Sequence, residues 1–167
     1  MPFFTQAETQ LLLTDPLKYS SLWRNNPDKR PQFDPAFWGD TAHNCGIERI
    51  QAEAAGWPHL VQLIAETIVD LINEEEADGV SPELLERALN KAVVRGHNVL
   101  HTLLRGESLL PGEWDYLSAF RDVAMQAPPT DRAVNKSLRR RLLIEEDEGQ
   151  WQLRVPLMAR WLKVRGE

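Results

Sequence analysis

The chain has 167 residues, 43% of them hydrophobic and 26% charged, with a formal net charge of -6. Folding at this length hides about 70% of the unfolded surface, enough for one ordinary domain or two small ones without metal or disulfide staples. The lone Cys45 has no partner for an internal bridge, Met1 is followed by no apolar leader, and no apolar run approaches the ~20 residues that cross a bilayer, so the expectation is a reduced cytoplasmic protein with no membrane segment.

Thr5 followed three positions later by Glu8 forms a capping box, which predicts a helix from Gln6 to Thr14 that stops before Pro16. Between Tyr19 and Asp40, Pro27, Pro31 and Pro35 alternate with Trp23, Phe33, Phe37 and Trp38. That pattern reads as a loop pinned by aromatic packing. Helix-forming residues resume from Ile47 to Ala55. Gly56 supplies the left-handed residue that ends such a helix, Trp57 bridges, and Pro58 suits the first turn of the next one. Leu60, Leu63, Ile64, Ile68, Leu71 and Ile72 then recur at helical spacing as a core stripe, ending at the acidic run Glu74 to Glu76, which reads as a solvated terminus.

Ser81 and Pro82 open a further helix with Leu84, Leu85, Ala88, Leu89, Ala92 and Val93 inward. Val99, Leu100, Leu103 and Leu104 predict another after Gly96. Past Pro111 and Gly112, the spacing of Trp114, Leu117, Phe120, Val123 and Ala124 predicts one amphipathic helix, closed off by Pro128 and Pro129. Thr130 or Asp131 caps a helix carrying Val134, Leu138 and Leu142, whose end flows into a strand at Leu143 to Glu146. Asp147, Glu148 and Gly149 form a turn, Trp151, Leu153 and Val155 alternate with polar residues on a return strand, and a short helix turns Leu157, Trp161 and Leu162 inward. The expected fold is mainly α: a helical subdomain over residues 1–95, then a winged helix over 96–167 with one small β-hairpin.

No Gly-x-x-x-x-Gly-Lys-Ser/Thr loop is present, and no apolar run ends in an acidic residue suited to hold magnesium, so the chain reads as no enzyme. His97 and His101 have the four-residue spacing of paired zinc ligands, but with no general base between them and no further ligands nearby they read as surface residues on a helix flank. His43, Asn44 and Cys45 lack anything to activate the thiol. From Arg132 onward nine Lys and Arg face five acids, so the preceding part carries the opposite balance. Lys136, Arg139, Arg140 and Arg141, with Arg154, therefore mark a docking face for an acidic protein surface, with DNA the less favoured partner because Glu145 to Glu148 follow at once.

The Gly56-Trp57-Pro58 corner followed by an apolar helix, and the terminal Arg154-Val155-Pro156-Leu157 with Trp161-Leu162, resemble two stations of the STAND-type, AAA+-related signalling ATPases. These are the Gly-x-Pro step of the helical lid and the last strand and helix of the winged-helix domain behind it, and the resemblance spans 47–77 and 112–167. It implies that Gly56, Trp57 and Pro58 lie beside the adenine of bound nucleotide; Trp57 stands where family members often have His. It implies too that ATP or ADP with magnesium belongs to a parent ATPase core and not to this chain. On that reading the chain is a non-catalytic regulatory module that couples nucleotide state to docking on the ATPase core or another protein in signal transduction; a winged-helix DNA-binding transcriptional regulator is the alternative.

Overall fold

The computed structural model describes residues 3–18, 46–77, 79–105 and 109–164, with backbone only at 16–18. The aromatic and proline-rich stretch 19–40 and the His43, Asn44, Cys45 group lie outside the described residues. Two units divide the chain, Met1–Ala92 and Val93–Glu167, close to the boundary expected at 95. The described residues are mainly helical with one small antiparallel sheet, and none of their helices is long and apolar enough to cross a membrane.

The first unit begins with α1 (Gln6–Lys18), opened by the expected capping box: Glu8 accepts from the Thr5 backbone N–H at 2.8 Å, and the Glu8 N–H donates back to Thr5 Oγ1 at 3.3 Å. The helix does not stop before Pro16 but runs through it to Lys18. A proline forfeits one intrahelical bond, a loss that a helix already nucleated over ten residues carries. Next come α2 (Gly46–Ala54) and α3 (Pro58–Glu75), with α1 packed on both. Ile47, Ile50, Leu60, Val61, Ile64 and Ile68 fill the space between them, all at most 2% exposed. Thr67 is also buried, and its hydroxyl is satisfied by donating to the Leu63 carbonyl at 2.7 Å.

The acidic end of α3 is not merely solvated. Glu75 pairs with Arg87 at 2.5 Å and Glu74 with Lys91 at 2.8 Å, both on α4 (Pro82–Arg95). These pairs offset the unfavourable negative charge at a helix C-terminus. The Ser81 hydroxyl caps α4 by accepting from the Leu84 N–H at 3.1 Å, and Leu84, Leu85, Ala88, Leu89, Ala92 and Val93 are buried as their spacing requires.

In the second unit, α5 (His97–Arg105) buries Leu100 and Leu104 but leaves Val99 42% exposed, so the inward stripe is narrower than expected. The helix expected from Trp114 to Ala124 is shorter: α6 (Glu113–Ser118) tightens into a 3-10 turn at Ala119–Arg121, and Val123 and Ala124 are exposed. The chain then extends into β1 (Met125–Gln126), a strand absent from the sequence reading. Two residues are too few for a period-2 signature, and β1 exists because the return strand offers it an edge.

Asp131 caps α7 (Arg132–Arg140), its Oδ1 accepting from Ala133 N at 2.7 Å and Val134 N at 3.3 Å. Leu142 was expected inward on this helix, but it lies past the C-cap Arg141 at φ +56° and is 44% exposed, while Leu143 takes the buried place. The hairpin β2 (Ile144–Asp147) and β3 (Gln150–Leu153) forms where expected, in register Ile144 opposite Leu153. Its two-residue loop has Glu148 at φ +47° and Gly149 at φ +79°, the mirror-image turn whose twist matches paired strands. The sheet order is β1-β3-β2, all antiparallel. Trp151, Leu153 and Val155 face the core, and α8 (Pro156–Val164) closes the unit with Leu157, Met158, Trp161 and Leu162 buried.

Candidate functional site

The corner between α2 and α3 is built by two consecutive left-handed residues, Ala55 at φ +47° and Gly56 at φ +71°, before Trp57 returns to extended backbone and Pro58 starts α3. A side chain at position 56 has no room, because a Cβ there collides with the Phe4 carbonyl oxygen. The approach is close because the N-terminal segment is bonded to the corner: the Phe4 N–H donates to the Gly56 carbonyl at 2.7 Å. Gln51 holds the other side, its amide donating to the Phe4 carbonyl at 2.7 Å while its oxygen accepts from the Thr9 hydroxyl. The Phe3 ring covers Trp57 with centroids 5.5 Å apart. Phe3, Phe4 and Gln51 were missed in the sequence because the Phe4 bond to Gly56 is made by backbone groups, and the Phe3–Trp57 and Gln51–Phe4 contacts join residues more than forty positions apart. The Trp57 indole Nε1–H is buried and has no acceptor among the described residues.

The five basic positions of the second unit do not form one face. Arg139 leans back over the sheet: its guanidinium sits 4.8 Å from the Trp151 ring and bonds Glu146 at 2.5 Å and Asn135 at 3.2 Å. That guanidinium beside Glu146 holds the carboxyl below the ordinary carboxylate range. Arg140 and Lys136 point to solvent, and Arg154 is half-buried just past β3.

Arg141 points into the unit. It pairs with the fully buried Glu113 at 2.7 Å and donates to the carbonyls of Leu103 and Leu104 at 2.8 and 2.5 Å. Glu113 also accepts from Ser137 Oγ at 3.1 Å and from the Leu110 N–H at 3.0 Å. One buried ion pair thus caps the C-terminus of α5, holds the start of α6 and ties in α7. Arg141 belongs to the framework and not to a docking face. Its role is invisible in sequence because Glu113 is 28 residues away.

His97 and His101 are not surface residues of a bare helix flank. The Trp161 Nε1–H donates to His97 Nδ1 at 3.0 Å, the two imidazoles lie 5.8 Å apart, and His101 meets the same indole edge-on at 6.1 Å. They line a cavity of about 580 Å³ together with Val94, Arg105, Trp114, Trp161 and Val164. The Arg105 guanidinium lies 4.6 Å above the Trp114 ring. Among the described residues no group of three or more His, Cys, Asp or Glu gathers to hold a metal ion.

Compared with models of known protein families, with curated proteins and with solved structures, the chain matches none.

Proposed function

We propose that this chain is a non-catalytic regulatory module of a STAND-type ATPase, in which a helical lid and a winged helix convert nucleotide state into docking on the ATPase core or another protein. The observation that carries the reading is the corner at residues 54–58. Gly56 takes the left-handed conformation and Pro58 starts α3, and the Trp57 indole beside them keeps a buried N–H with no acceptor among the described residues. An unmade bond of that kind costs about 1–3 kcal/mol, and a purine ring nitrogen is a suitable acceptor. Gly56, Trp57 and Pro58 are then the adenine-side contact, while phosphate and magnesium binding belong to a core domain.

In the second unit the sheet order β1-β3-β2 with α7 and α8 against it supports the winged-helix part. The DNA-binding alternative is less well supported. The basic positions a groove-reading helix would use are partly spent, since Arg139 and Arg141 are engaged by Glu146 and Glu113. Lys136 and Arg140, both exposed, are then the contacts for an acidic protein partner.

The test is to read and express the coding sequence around this chain. The proposal expects a phosphate-binding loop in frame upstream, a longer protein that retains ADP, and photolabelling by 8-azido-ADP on the peptide containing residues 54–58. A stop codon in place of that loop, or labelling that avoids this peptide, overturns it.

A further inference from the structure

The cavity of the second unit is built almost wholly from donors and flat rings. With Nδ1 of His97 accepting from the Trp161 indole, a neutral His97 carries its proton on Nε2, so the ring presents a donor and has no lone pair left for a metal. His101 is one helical turn along, and Arg105 a further turn, so α5 lays three nitrogen-bearing side chains in a row along the cavity. A guanidinium stacked on an indole keeps its N–H donors at its rim, in the plane of the fork. No acidic side chain is among the described lining residues. The remaining walls are the indoles of Trp114 and Trp161 and the side chains of Val94 and Val164, which are 55% and 57% exposed at the mouth.

We infer that this cavity binds a small organic anion: a carboxylate or phosphate carried on a flat ring. The anionic group takes the donors of Arg105, His101 and His97, and the ring lies against Trp114 and Trp161. Three features separate this class from the others the site resembles. A metal lacks a free imidazole nitrogen on His97 and, among the described residues, a third ligand. A cation faces the Arg105 guanidinium, which no acidic side chain among the described lining residues offsets, despite two indoles that otherwise suit it. An extended peptide needs a groove longer than a cavity of about 580 Å³, a volume within the roughly 300–1,000 Å³ range of small-molecule sites. The inference is independent of the lid reading, since every residue it uses lies in the second unit.

The experiment is an NMR titration of the 15N-labelled chain, following the six tryptophan indole N–H signals. The probes are phenylacetate and phenyl phosphate, with neutral phenylacetamide and ringless acetate as controls. Saturable shifts at the Trp114 and Trp161 indoles are expected with at least one ring-bearing anion, which also identifies the preferred anionic group. That anion should bind at least tenfold more tightly than the amide or acetate. Arg105 is exposed, so R105Q keeps the fold; it should weaken the anion at least tenfold while leaving the amide within twofold. No saturation below 10 mM for either ring-bearing anion overturns the assignment, on the ordinary affinity scale where roughly 1 mM is already weak. An amide bound as well as the anion, or R105Q without effect on the anion, also overturns it.

Discussion

Gly56 is the position where the backbone tolerates least. Its φ of +71° disfavours any side chain, and the Phe4 carbonyl occupies the space a Cβ needs. Substituting alanine has to break the Phe4 to Gly56 hydrogen bond or strain the turn. G56A is therefore expected to cost about 1–3 kcal/mol, measured by urea unfolding. The basic cluster separates into unequal parts in the same assay. R141M leaves the fully buried Glu113 carboxyl without its ion-pair partner and should cost about 3–5 kcal/mol, whereas R140M, at an exposed position, should stay within about 0.5 kcal/mol. Near-equal costs for the two arginine variants would remove Arg141 from the framework. The turn glycine was legible in sequence because its reason is local: a helix had to end there and Pro58 follows. Nothing local distinguishes Arg141 from Arg139 and Arg140, since the difference lies in a carboxylate on another helix.

At the scale of elements, amphipathic spacing located α3, α4, α7 and the hairpin, where each element carries its own periodic signal. It overextended α6, because Val123 and Ala124 keep helical spacing after the chain has turned toward β1. The strand β1 is held from outside: the Tyr116 hydroxyl donates to the Ala127 carbonyl at 2.9 Å, and Gln126 donates to the Tyr116 carbonyl at 2.8 Å. Burial pushes the Tyr116 phenol up to about 12 from its ordinary 10.0. A raised phenol favours the folded state while neutral. That contribution is complete below about pH 10, where the unfolded phenol is also neutral, and is lost as pH rises through about 12. Y116F should therefore flatten the fall in stability between those pH values and delete a late-ionising step in the ultraviolet titration of the phenolate. A wild-type titration without any step above pH 11, on a scale where ordinary tyrosine ionises near 10, would contradict the burial of this ring.

Over the whole molecule, the charge split was the broadest signal in the sequence, and its meaning changes once the side chains are placed. Of the nine cations from Arg132 onward, Arg141 is spent on Glu113 outside that stretch and Arg139 on Glu146 within it, which leaves fewer to attract nucleic acid. Duplex DNA is accordingly expected to show no binding at about 50 mM salt, where phosphate-driven affinity is strong. Added alone, 1 mM magnesium ADP should raise the melting temperature by less than about one degree, since a ligand at or below its Kd stabilises by no more than about 0.4 kcal/mol.

The proposed adenine-side face of a nucleotide switch is the corner at residues 54–58. It is tested by the ADP affinity of the longer protein that contains this chain, compared between W57A and F3A. The two variants remove opposite halves of the same ring pair, but only the Trp57 half carries an indole N–H, buried with no acceptor among the described residues. ADP binding is expected to weaken about tenfold, or about 1.4 kcal/mol, in W57A and to change less than about twofold in F3A. Equal effects of the two variants, or no effect of W57A, would contradict it.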